Sequence, residues 1–326
     1  MKKTLLSTTT LVAVTALSAN VAIADVSIGG MLEWTYESRS SNVTANDGTK
    51  FGQNSDMQFN FTNKTDSGLE IGMSIDFDTD GGTFGNDETS LSIAGGFGTI
   101  VLGSVDPAAD SYIIDESDSI AEDAAPAVGS MTIATSSSTT LEDEEDNKIS
   151  YHLPPMGGLT AGISHTDGGY VGGSDTTGMG LNYAMEAGGA AITLGYTTSQ
   201  TENSTQDKDS ENMGLKIVSG DLSMIISQGG SEADDEDIEN MGASISYNMH
   251  NGITLGAYTF KSEDDLDAGE EYTRSGVEVK YPIATGLTAY INVDDYEYKL
   301  GTNADADGAD VSDSGTNSKL TIKATF

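Results

Sequence analysis

The chain closes on Thr316 to Phe326 (TNSKLTIKATF), where polar or charged residues alternate with apolar ones up to a terminal aromatic. Strand side chains change face at every residue. Leu320, Ile322, Ala324 and Phe326 therefore point one way, and Lys319, Thr321, Lys323 and Thr325 the other. In a soluble sandwich a chain end of this kind commonly frays. In a closed membrane barrel its apolar face meets lipid and its last aromatic sits at the interface. The pattern predicts a transmembrane strand, which needs partners elsewhere in the chain.

The other end is consistent with export. Met1 to Lys3 give a short positive start, Leu5 to Ile23 an uncharged and largely apolar stretch, and Ala22-Ile23-Ala24 a small-x-small cleavage site. Residues 1–24 are expected to be a cleaved signal peptide, with 25–326 the mature domain. There is no cysteine in the chain, so no disulfide framework supports it. Removing the signal takes away Lys2 and Lys3 and moves the formal charge from −38 to −40. A chain this acidic argues against a nucleic-acid partner and against peripheral binding to anionic head groups. Only 37% of residues are hydrophobic and 39 are glycine. That is lean for a soluble core but suits a barrel whose apolar band is outside and whose lumen is wet.

Reading along the chain, alternating segments recur. In 25–38, Val26, Ile28, Leu32, Trp34 and Tyr36 share a face opposite Ser27, Glu33 and Glu37; in 55–64, Met57, Phe59 and Phe61 oppose Gln58, Asn60 and Lys64. Similar segments near 69–77, 87–95, 97–104, 147–153, 158–167, 176–186, 190–200 and 210–218 continue the series, followed by 221–228, 238–248, 252–261, 271–281, 286–298 and 316–326. The apolar spacing is two rather than 3.6, so these are strands and not amphipathic helices. Seven connections are short and glycine-bearing: TDSG (65–68), GGFG (95–98), PPMGG (154–158), EAGG (186–189), SGD (219–221), MHNG (249–252) and PIATG (282–286). The others, such as Ser231–Asp237 and Glu263–Glu271, read as longer acidic loops, and all five prolines read as lying in connections, as a sheet requires. The expected fold is all-β: a 16-stranded antiparallel transmembrane barrel with short turns at one end and loops at the other. Phe59, Phe61, Tyr151, Tyr183, Tyr247, Tyr281 and Phe326 fall near the short-turn end on the apolar face, where they predict an aromatic girdle.

With these features together, the chain resembles the general-diffusion porins of Gram-negative outer membranes, most closely the alphaproteobacterial type. The resemblance rests on DVSIGGMLEW (25–34), GGFGTIVLGSVDPAAD (95–110), NKISYHLPPMGGLTAGISH (147–165) and the terminal strand ending at Phe326. It implies a homotrimer in the outer membrane, surrounded by lipid and lipopolysaccharide, and inserted by the barrel-assembly machinery through its C-terminal strand. It also implies that a long third loop folds inward to narrow a water-filled pore, and that the Phe326 carboxylate lies close to Asp25.

The candidate loop is 105–146, the longest connection, which carries twelve acids and no Lys or Arg. Loops this long are uncommon and tend to be functional. Asp106, Asp110, Asp115, Glu116, Asp118, Glu122 and Asp123 are expected at the constriction, and Glu142 to Asp146 as solvated loop. The family sets such acids against bases on the opposing wall. By parity the lumen-facing bases here are Lys64, Lys148, Lys216, Arg274, Lys280, Lys319 and Lys323, while Arg39 reads as loop. An acid-lined channel concentrates cations, so a cation-selective diffusion pore for small hydrophilic solutes is expected. A substrate-specific channel is the alternative.

No cofactor is expected. Asn303-Ala-Asp305-Ala-Asp307-Gly308 imitates the start of a calcium loop, but its twelfth position is Ser314 instead of Glu. Looser Ca²⁺ or Mg²⁺ bridging among loop carboxylates is compatible with hard-cation chemistry. Neither a G-x-S-x-G elbow nor an H-E-x-x-H motif occurs, and His152, His165 and His250 lie in different segments. A barrel-embedded hydrolase and a secreted acidic calcium-binding β-protein are therefore the weaker readings.

Overall fold

A computed structural model describes residues 25–79, 85–119, 147–169, 174–202, 207–234, 236–267, 269–301 and 312–326. Residues 1–24 lie outside them, as do Glu122, Asp123, Glu142 to Asp146 and the Asn303–Gly308 segment.

The strands are β1 (Asp25–Ser41), β2 (Gly48–Lys64), β3 (Glu70–Asp78), β4 (Gly85–Gly95), β5 (Gly98–Ser104), β6 (Asn147–His152), β7 (Leu159–Thr166) and β8 (Asp175–Ala187). They continue as β9 (Ala190–Glu202), β10 (Lys208–Ser219), β11 (Leu222–Ala233), β12 (Glu236–Asn248), β13 (Thr254–Asp264), β14 (Glu271–Ala284), β15 (Leu287–Lys299) and β16 (Asp313–Thr325). Each pairs antiparallel with its sequence neighbours, and β1 pairs with β16, so the sheet is a closed barrel. Closure gives every strand a neighbour on both sides, the one way a sheet can cross lipid.

Burial is inverted relative to a soluble protein. On β11, Ile226 is 57% exposed while its neighbour Ser227 is 2% exposed. The same alternation runs around the wall: Leu, Ile, Val and Met face outward, and Ser, Thr and Asn face the interior. Phe59, Phe61, Tyr151, Tyr183, Tyr247, Tyr281 and Phe326 all occupy the outward face toward the short-turn end.

The seven short connections are all turns. In one of the two-residue turns, Ala187 pairs with Ala190 around Gly188 and Gly189, whose φ of 60° and 83° fit a type I′ turn. Several strands run further than their apolar patterns. β2 begins at Gly48 and β1 runs to Ser41, so Arg39 lies in a strand and not a loop. Ser231–Asp237 is the tip of the β11–β12 hairpin, with Glu232 paired to Asp237. Pro282 also lies in a strand, at the end of β14 where the register shifts before Ala284, a bulge that tolerates proline. The terminal register differs as well. Met31 pairs with Thr325, and the Phe326 amide donates to the Gly30 carbonyl at 3.0 Å. Phe326 thus closes opposite Gly30, roughly 16 Å along the strand from Asp25 at about 3.3 Å per residue.

Candidate functional site

The described part of the long loop, 105–119, lies against the inner wall. The Ala108 amide donates to Ser164 Oγ on β7 at 2.9 Å. Tyr112 Oη lies 3.0 Å from His152 Nδ1 on β6, and burial pushes the Tyr112 phenol above its ordinary value. Two short 3₁₀ turns, Asp110–Tyr112 and Glu116–Ser119, carry the loop from β8 and β9 across to β11, β12 and β13.

The expected acids fall in different environments. Asp115 and Glu116 are fully buried between loop and wall. Asp115 Oδ1 accepts from the Ser117 amide and hydroxyl, and Glu116 accepts from Ser227 Oγ at 3.4 Å. Asp106 and Asp110 are half-buried, and Asp118 is exposed. Asp115 and Glu116 therefore help to seat the loop, while Asp118 is exposed.

All seven expected bases occupy inward register positions, but their surroundings differ. Lys148 is buried at the root of the loop, and its Nζ donates to the Val105 carbonyl at 2.5 Å. Lys64 pairs with Glu70 at 2.7 Å beside a short turn. Arg274, 2% exposed, sits 4.9 Å from the centre of the Tyr258 ring, while Tyr258 Oη donates to Asp294 at 3.1 Å. Lys280 lies 5.8 Å from the Tyr290 ring. Lys323 pairs with Glu33 at 3.3 Å. Lys216 on β10 and Lys319 on β16 are half-buried. Thus Lys280, Lys319 and Lys323 occupy inward positions of β14 and β16.

Sequence reasoning missed further inward bases. Arg39 pairs with Glu37 at 3.2 Å and lies 5.9 Å from the Tyr296 ring; Lys50 pairs with the same Glu37 at 3.0 Å. Lys208 pairs with Glu236. Parity alone would have placed them, had β1, β2 and β10 been extended far enough. Asp313 was also missed. It is buried at the β16–β1 seam and accepts from Ser41 Oγ at 2.6 Å and Asn46 Nδ2 at 2.7 Å.

The histidines do not assemble a catalytic group. His152 contacts Tyr112, His165 contacts Thr177 at 3.0 Å, and His250 lies in a turn 3.8 Å from Asp221. Among the described residues no group of three or more His, Cys, Asp or Glu is arranged to hold a metal.

A closed barrel of this strand number, apolar outside and polar within, defines a channel-forming protein of the outer membrane. The family comparison agrees: the model described as Gram-negative porin matches residues 8–318. The chain belongs to the Gram-negative porins and is a protein of the bacterial outer membrane. No curated protein matches it. Among solved structures, it is similar to an anion-selective porin from Comamonas acidovorans (17% identity, TM-score 0.65, covering 93% of this chain and 100% of that one). OmpT of Vibrio cholerae in its trimer form gives 12% identity and a TM-score of 0.66, covering 93% of this chain and 99% of that one. A mutant of the Rh. blastica porin gives 16% and 0.61, covering 92% and 100%. At these identities the likeness shows the fold alone.

Proposed function

We propose that the barrel is a water-filled, cation-selective channel for passive diffusion of small hydrophilic solutes and ions, narrowed by 105–146 and carrying out no chemistry. The observation that carries this reading is how the inward charges are paired. Lys323 is matched by Glu33, Arg39 and Lys50 by Glu37, and Lys64 by Glu70. Asp56, Asp76 and Asp78 also occupy inward register positions, in a chain of net charge −38. The summed potential of such a lumen draws cations in and repels anions. The anion-selective Comamonas porin shares the fold, so selectivity must come from wall chemistry rather than architecture. Reversal potentials in a salt gradient test the reading, and a chloride-favouring sign would sink it. Residues 1–24 are proposed as the signal peptide, which N-terminal sequencing of the mature protein would check.

The working assembly is proposed to be a homotrimer, and the outer wall supports self-association. From β16 through β1 to β7 the outward positions carry no acidic or basic residue apart from His165 on β7 and the bulged Asp87–Glu88 pair in β4. From β8 to β15 they carry many acids, among them Asp209, Glu211, Glu232, Asp237 and Glu239. Within the uncharged sector Trp34 and Phe51 stack at 5.5 Å and Tyr36 lies 5.3 Å from Phe51, which is 71% exposed. Interface cores are depleted of charge and rich in aromatics, and strongly acidic copies repel one another least across this face.

A further inference from the structure

Four adjacent strands each turn a glycine toward the interior beneath the loop: Gly162 on β7, Gly180 on β8, Gly195 on β9 and Gly214 on β10. Gly162 pairs directly with Gly180, and Gly195 with Gly214. The offset between the two pairs, where Gly180 faces Thr197, makes the row diagonal. None of the four has the positive φ that would call for glycine. Space is what calls for it. A Cβ on Gly162 would lie 2.8 Å from His152 Nδ1 and 3.0 Å from the Tyr112 hydroxyl. On Gly180 it would lie 2.8 Å from both Cβ and Cδ2 of Tyr112; on Gly195, 3.0 Å from the Tyr112 carbonyl oxygen and from Ile114 Cγ1. On Gly214 it would run into the Ile114 carbonyl oxygen and come within 2.6 Å of Ile114 Cβ.

We infer that these glycines form a trough which sets how deeply residues 112–114 sink into the wall, and thereby the free cross-section of the pore. The inference rests on the channel reading and names the residues that position its constriction. The contacts at Gly195 and Gly214 include loop backbone, which cannot swing aside as a flexible side chain would. A methyl group there must lift the loop toward the pore axis, since the strand beneath is held by ladder bonds on both sides. Side chains at Gly180 and Gly162 would press on Tyr112, the residue anchored to His152, and act in the same direction.

The test is single-channel conductance of Gly180→Ala and Gly214→Ala in the full-length folded protein, scored only on preparations with wild-type heat-modifiability. The expected result is a fall of roughly a quarter or more, because tightly packed sites relieve added volume by displacing their neighbours. Unchanged conductance would overturn the inference, and so would a rise, which would mean a loop expelled instead of raised. A second variant does not depend on the tolerance of the glycines. The chain has no cysteine, so Ala108→Cys with Ser164→Cys tethers the loop where Ala108 already bonds to Ser164. Conductance should be the same oxidised and reduced; a shift on oxidation would show that the loop does not rest in the trough. A wild-type protein that forms no channel fails the channel reading, whereas a wild-type channel with unaltered alanine variants fails this inference alone.

Discussion

Lys323 of the last strand faces Glu33 of the first, directly paired in register, with Nζ 3.3 Å from the carboxylate across the seam that closes the barrel. The pair is half-buried and points inward, so it neutralises one of the few wall bases. Replacing Lys323 with Met should leave Glu33 as an additional lumen anion and raise the cation-to-anion permeability ratio. The stability cost should be small, about 1 kcal/mol or less for a solvent-accessible pair. Permeability ratios of the two proteins in the same gradient check it; a lower ratio in the variant would contradict it.

The outward parity has an energetic signature. Ile291, 53% exposed on the outer face of β15, should resist replacement by arginine at a cost of about 2–4 kcal/mol near the bilayer midplane. Lys280→Gln, on the inner face of β14, should cost far less. Denaturant unfolding of the protein in vesicles compares the two, and equal costs would argue against the assigned faces.

Lys148 should act at the root of the loop rather than as a free charge on the wall. Lys148→Met removes the donor to the Val105 carbonyl, which is then left short of a partner at a local cost of about 1–3 kcal/mol. Loosening at that point predicts noisier open-channel current with selectivity nearly unchanged. A clear change in selectivity with quiet current would show that Lys148 acts by its charge.

Self-association through the uncharged sector predicts that Phe51→Asp disrupts the oligomer, with Trp34→Ala costing on the order of 2 kcal/mol as an interface anchor. Sedimentation in detergent reads the oligomeric state directly. A trimer that survives Phe51→Asp would move the interface elsewhere on the wall.

Much of this was legible in the sequence because a strand has a period of two and a membrane barrel makes that period report inside from outside. Lys216, Lys280, Lys319 and Lys323 needed only parity to be placed. Arg39, Lys50 and Lys208 escaped because the strands continue past the apolar band, where alternation between apolar and polar residues fades while pairing persists. The trough escaped for another reason. Gly162, Gly180, Gly195 and Gly214 each fall on the polar face of their strands, which was the available signal, but a missing side chain says nothing of what lies above it. The division of the loop acids into the buried Asp115 and Glu116 and the open Asp118 depends on which way a long loop lies, and no local pattern encodes that. The terminal register, with Phe326 opposite Gly30, depends on how the whole sheet shears as it closes.

Selectivity from summed lumen charge must also be screened by salt, because the Debye length falls from about 10 Å at 0.1 M to about 3 Å at 1 M. The most direct measurement is therefore the reversal potential of the purified protein in a planar bilayer under a tenfold KCl gradient, taken at low and high mean concentration. The account predicts potassium-favouring potentials that shrink as salt rises. A chloride-favouring potential at low salt would contradict it.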